Sequence, residues 1–147
     1  QETFEMATPP LTRSIGSAER AMRALLEREL ARERLSFAQW TALVFTSAAP
    51  LSAEQIVQRQ LAGHVVASEP EARDAIANLV ALGALTSNAD GPLQHSEKGR
   101  GLFTALSKSV EQITSTLYGD LPQVDLEATH RTLQEVAARA NKLLAAK

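Results

Sequence analysis

From Leu11 to about Leu35, apolar residues fall at Leu11, Ile15, Ala18, Met22 and Leu25, spaced by fours and threes, and Leu26 and Leu30 widen the stripe. Arg and Glu fill the other faces, so the spacing predicts an amphipathic helix with one broad buried seam. Ser36 is a candidate cap for a second helix through Phe37, Trp40, Leu43, Val44 and Phe45. Its expected end is near Ala49-Pro50, because the residue before a proline disfavours helix. A third helix opens at Ser52, carries Ile56, Val57 and Leu61, and stops near Gly63. "SEPE", Ser68 to Glu71, has the form of a capping box. The Ser68 hydroxyl would accept from the Glu71 amide while the Glu71 carboxylate accepts from the Ser68 amide. Pro70 in the first turn forfeits no intrahelical bond. The fourth helix continues through Ala72, Ala75, Ile76, Leu79 and Val80 to Gly83, a candidate left-handed C-cap.

Leu85 to Ser87 and Leu93 to His95 are too short to be independent strands, but "NADGP" between them predicts a modest hairpin. Ser96 caps a fifth helix carrying Leu102, Phe103, Leu106, Val110, Ile113 and Leu117, which ends near Gly119. A last helix has Leu126, Leu133, Val136, Ala140 and Leu143 in phase with Thr129. The predicted class is mainly α with a small β-hairpin. Residues 36–100 form a winged helix-turn-helix, and 11–35 with 101–147 form N- and C-terminal dimerisation helices of one domain. Residues 1–10 read as an N-terminal extension in which Met6 would make a natural start. The first, fifth and sixth helices have more apolar seam than one chain can cover. A two-fold homodimer is therefore expected through Leu11, Ile15, Ile113, Leu117, Leu126, Leu133, Val136 and Leu143. An intramolecular three-helix bundle is the alternative.

Composition narrows the chemistry. At 147 residues the chain has the material for one core. The absence of cysteine removes disulfides, thiolate metal sites and thiol redox sensing. No run of apolar residues is long enough to span a bilayer and no secretion signal is evident, so a cytoplasmic protein without membrane contact is expected. There is no nucleophile elbow, no P-loop and no dinucleotide fingerprint, and an enzyme is not expected. His64, His95 and His130 lie far apart without ligand-spaced partners, so neither a metal nor a cofactor is expected. Net charge is −2, and the imbalance sits in residues 68–100, where five acids face three bases. Between Gly83 and Glu97 there is no Lys or Arg at all.

Four motifs in order carry a resemblance. "LSFAQWTAL" (Leu35 to Leu43), "PLSAEQI" (Pro50 to Ile56), "NLVALGALT" (Asn78 to Thr86) and "HSEKGRGLF" (His95 to Phe103) resemble the MarR (multiple antibiotic resistance regulator) family of winged helix-turn-helix transcription regulators. The resemblance runs from Leu11 onward. It implies a dimeric repressor or activator on double-stranded DNA, released by a small apolar, acidic or phenolic ligand. DNA would be met through the helix 68–83 and the hairpin 85–96. The candidate contacts are Arg59, Arg73, Lys98 and Arg100, with Ser68, Asn78, Asn88 and Gln94 as neutral donors. The implied ligand pocket would have walls from Met22, Leu26, Phe37, Trp40, Phe103 and Leu106, with Arg20 or Arg23 meeting an anionic group.

The departures fall where DNA would be touched. Pro70, Glu71, Arg73 and Asp74 stand where the family usually places Ser, Thr and Arg, and carboxylates there work against the counterion-release term of affinity. The wing lacks the family's Asp-Arg-Arg run and is several residues shorter. "GHVVA" (Gly63 to Ala67) looks like an insertion in the turn before the recognition helix. These departures give a second expectation: a module of the same fold that has lost generic DNA binding and acts through protein or ligand contacts.

Overall fold

The computed structural model describes residues 8–87 and 91–146. In chain order the elements are α1 (Leu11–Arg32), α2 (Phe37–Phe45), α3 (Ala53–Ala62), α4 (Glu69–Leu82), β1 (Leu85–Ser87), β2 (Leu93–His95), α5 (Glu97–Tyr118) and α6 (Gln123–Ala145). The backbone divides into two compact units, residues up to Val110 and residues from Glu111. Among the described residues no helix is long and apolar enough to cross a membrane.

Local chemistry sets the helix starts. Ser36 and Ser52 each accept from the amide three residues on, and Gln39 and Gln55 each return a bond to the serine amide. Both are full capping boxes. The expected box at Ser68 is only half formed. The Ser68 hydroxyl accepts from the Glu71 amide at 3.4 Å, but the Glu71 carboxylate takes the Ala67 amide at 3.0 Å instead of that of Ser68. Glu71 thus ties down the end of the preceding loop.

The helix ends share one device. Three helices close with a residue in the left-handed region, Arg34 (φ 57), His64 (φ 57) and Gly83 (φ 82). In each case the following amide reaches back five residues: Leu35 to Leu30, Val65 to Gln60, Ala84 to Leu79. That is the Schellman closure, which satisfies carbonyls a helix end would otherwise leave open. It ends α1 at Arg32 rather than near Leu35, so Leu35 turns inward and is buried. The "GHVVA" segment is the closure of α3, and it sends Val66 into the core. Helix α2 stops at Phe45, short of Ala49-Pro50, because Thr46 caps it and its hydroxyl donates back to the Ala42 carbonyl at 2.8 Å.

The core of the first unit is built by Leu43, Ile56, Val57, Leu79 and Leu85 from α2, α3, α4 and the wing, with Leu30 from α1. Buried Gln60 ties α3 to α2. Its amide nitrogen donates to the Ala38 carbonyl at 2.7 Å and to the Thr41 hydroxyl at 3.0 Å, while its Oε1 has no partner. The hairpin pairs Leu85 with His95, Thr86 with Gln94 and Ser87 with Leu93. A contact beyond the predicted hairpin anchors it: Leu51, just before α3, exchanges both backbone bonds with Leu93, at 3.0 and 2.7 Å.

The wing returns to the body at one close crossing. The Ser96 amide donates to the Ala84 carbonyl at 3.1 Å, its hydroxyl donates to the Gly83 carbonyl, and the Gly99 amide donates to the Ser96 hydroxyl at 3.0 Å. This brings Gly99 so near that a Cβ there would lie 1.9 Å from the Ala84 carbonyl oxygen, whereas one on Gly101 would meet nothing within 4 Å. The second unit holds the rest of α5 and all of α6, and no residue of α6 is buried.

Gly99→Ala should cost about 1–3 kcal/mol or more, because backbone atoms must yield. Gly101→Ala should be neutral or stabilising by up to about 1 kcal/mol, the ordinary gain of alanine over glycine in a helix. Urea unfolding of the two variants checks the contrast; equal effects would mean that the crossing is loose.

Candidate nucleic-acid interface

Helices α3 and α4 with the connecting turn make a helix-turn-helix, and the hairpin stands beside it. In such a unit the N-terminal half of the second helix and the wing are the surfaces presented to a duplex. The exposed residues of α4 are Glu69, Pro70, Glu71, Arg73, Asp74, Ala77, Asn78, Val80, Ala81 and Leu82. Arg73 and Asn78 are its only side chains with hydrogen-bond donors.

Arg73 is not free. Its guanidinium donates to Glu69 one turn earlier on α4, at 2.8 Å, and to Glu54 on α3, at 2.7 Å. The Arg73 and Gln58 hydrogen bonds hold the Glu54 carboxyl below the usual carboxylate range, and the Arg73 charge adds to this. The same bonds to Glu54 and Glu69 raise the Arg73 pKa above its ordinary value. A phosphate reaching Arg73 must displace two carboxylates and then remain beside them. Glu54 is the residue at this face that sequence reading misses. Its only signal is a place at the start of α3 opposite a helix whose angle was unknown.

Lys98, Arg100, Ser68 and Gln94 are similarly engaged. Lys98 donates to the Leu82 carbonyl at 2.8 Å, at the C-terminus of α4, where a positive charge meets the negative end of the helix dipole. Arg100 donates to the Ser47 carbonyl at 3.2 Å, with its guanidinium 5.9 Å from the Phe103 ring centre. Ser68 is occupied as the α4 cap, and Gln94 is a half-buried partner of Thr86 in the hairpin. Asn88 lies outside the described residues. Arg59, exposed on α3, makes no ion pair or side-chain hydrogen bond among the described residues.

The residues expected to wall a ligand pocket separate into two groups. Trp40 and Leu106 are buried in the core. Trp40 stacks on Phe103 with ring centres 5.5 Å apart, and the His95 ring packs against Phe103 at 5.2 Å, tilted. Leu26 is half-buried against the same core. Met22 is exposed, and the Arg20 guanidinium folds back over Gly16. Arg23 and Phe37 do line a cleft, of about 380 Å³, with Asn78 and Asp74 of α4 on its far side. The Arg23 guanidinium sits 4.2 Å from the Phe37 ring centre and donates to Glu27 at 3.0 Å. Among the described residues no three His, Asp or Glu come together in a metal-binding group.

His95 closes the wing. One ring nitrogen, Nε2, is 2.8 Å from the Leu43 carbonyl and so donates to it, while Nδ1 is buried without a partner. Burial pushes its pKa below the ordinary histidine value. The Leu43 bond opposes that shift, and the nearby Arg100 charge reinforces it.

This fold is that of winged helix-turn-helix proteins with long flanking helices. No family model and no curated protein matches the sequence. Solved structures do match. The Mycobacterium tuberculosis MarR family protein Rv2887 in complex with DNA is 17% identical, over 88% of this chain and 98% of that one, with a TM-score of 0.69. The same protein in complex with p-aminosalicylic acid is 16% identical, over 88% and 99%, with a TM-score of 0.66. The transcriptional regulator BldR from Sulfolobus solfataricus is 18% identical, over 88% and 93%, at 0.70. At such identities the likeness is one of fold, and the fold of this chain is the MarR-family fold.

The histidine gives a pH prediction. Its folded-state pKa lies below the unfolded one, so the neutral ring favours the native state. Stability is then full above the unfolded histidine value, about 6.5, and falls as pH drops through it toward the folded value. Thermal unfolding followed from pH 7.5 down to pH 5 should show a decline that His95→Gln, which keeps a donor for Leu43, lacks. Parallel profiles would contradict the role given to the ring.

Proposed function

We propose that this protein is a homodimeric transcription regulator of the MarR type that binds double-stranded DNA through α4 and the wing, with low affinity and little direct base readout. The observation that carries the reading is the helix-turn-helix with α4 on its open side, a hairpin pinned by Leu51 beside it, and the fold shared with a protein solved on DNA. The donor-poor face of α4 and the engaged cations account for the expected weakness, since counterion release by free Lys and Arg supplies most non-specific affinity.

Dimerisation is supported by α6, which carries Leu133, Val136 and Leu143 in an exposed apolar stripe and has no fully buried residue, and by exposed Leu11, Ile15 and Leu117 on the other long helices. Stripes of this kind on monomeric soluble chains are rare and mark interfaces. Release by a small molecule belongs to the same reading. One specific observation favours a second one, a module of this fold without generic DNA binding: the Arg73 clamp, which neutralises the cation best placed to meet a duplex.

Fluorescence anisotropy with DNA from the protein's own upstream region, over a salt series, separates the two. The regulator reading expects saturable, sequence-preferring binding at low salt, with a log–log slope of about 2–4 in magnitude per dimer. Arg73→Ala should weaken it more than Arg131→Ala on α6, and Glu54→Gln should strengthen it by releasing Arg73. Absence of sequence preference even at low salt would sink this reading in favour of the second.

Sedimentation at micromolar concentration should show a dimer, and the double variant Leu133→Glu/Val136→Glu should be monomeric with its helices intact by circular dichroism. A wild-type monomer would refute the assembly.

A further inference from the structure

The cleft beside Phe37 has the size of a small-ligand site and an unexpected sign of charge. Its volume of about 380 Å³ falls in the range of pockets that hold small molecules. It lies between α1 and α4, with Phe37 at the start of α2 and Val65 as apolar wall. Three carboxylates face it, Glu27, Glu71 and Asp74, against the single guanidinium of Arg23. An anion entering here would meet a net negative lining.

The cleft also shows what it does accept. The Arg23 guanidinium lies over the face of Phe37 at 4.2 Å and is neutralised by Glu27 at 3.0 Å. That is a flat cation held by an aromatic face and a carboxylate, from within the chain. A second carboxylate is in place without a cation. Asp74 makes no ion pair and no side-chain hydrogen bond among the described residues, and it faces the same space as the Asn78 amide one turn along α4.

We propose that this cleft is a binding site for a small organic monocation with a flat apolar body, of the amidine or arylalkylamine class. The charged group pairs with Asp74, the body lies against Val65 and the part of Phe37 that Arg23 leaves open to the cleft, and the Asn78 amide supplies a polar contact. Such a ligand wedges between α1 and the helix that would meet DNA, so its occupancy bears on the seating of α4. The inference gives a charge to the ligand of the regulator reading, opposite to that of the acidic ligands its fold relatives suggest. It is tested without DNA, so it can fail while that reading stands.

The experiment uses three molecules of one shape on the full chain: benzamidine (cation), benzamide (neutral) and benzoate (anion). Amide resonances are followed by heteronuclear NMR. Benzamidine should shift the signals of Ser36 to Ala38 and Asp74 to Asn78 saturably, and benzamide and benzoate should not. Asp74→Asn, an exposed change that should leave the melting temperature in place, should weaken benzamidine by about fivefold, the worth of one partly exposed ion pair. Equal response to benzamide or benzoate, non-saturating shifts, shifts centred elsewhere, or an unaltered Asp74→Asn titration would each overturn the proposal. So would binding of an arginine-rich peptide at these residues with none of benzamidine.

Discussion

The close crossing of Gly99 over the Ala84 carbonyl holds the winged helix-turn-helix of this protein together. Within a few residues it joins the left-handed end of α4, the return of the wing and the first turn of α5. Ser96 bonds to both Gly83 and Ala84 while capping the helix that follows, so one serine sets the relation of three elements. Lys98 and Arg100 then leave the same turn in position to reach the Leu82 and Ser47 carbonyls. The backbone geometry that builds the wing therefore also decides where two of its nearest cations go. Both bind backbone oxygens of the body, and neither is left pointing outward unpaired.

Much of this was legible in the sequence because it is local. Ser36 and Ser52 mark helix starts, Gly83 marks a left-handed end, and the spacing of leucines marks the seams. What was not legible depends on how separate segments meet. Glu54 is an ordinary first-turn acid on α3 until α4 packs alongside and brings Arg73 to within 2.7 Å. Leu51 looks like a residue of the loop before a helix until Leu93 pairs with it. Trp40 and Phe103 could have walled a pocket, but a chain with few aromatics uses them against each other and against His95. The swap of the Glu71 bond from Ser68 to Ala67 is a one-residue difference in a tight turn, below what pattern reading resolves.

The electrostatics of the two faces of α4 share a cause. A helix that opens with Glu69 and Glu71 places carboxylates at its positive end, which favours the helix itself. The same placement puts acid on the side toward α3, where Arg73 answers it, and on the side toward α1, where Asp74 continues it. Stabilising the start of the helix and discharging its exposed surface are thus one effect of the sequence.

Gln60 carries a different consequence. Its buried Oε1 lacks a partner, and an orphaned polar atom of this kind typically costs about 1–3 kcal/mol. An aliphatic residue could fill the same space without that cost, but it could slide along α2. The amide cannot: its two bonds, to Ala38 and Thr41, are directional and fix one rotation of α3 on α2. At this position the protein holds less thermal margin than it could, in exchange for one fixed alignment of the two helices.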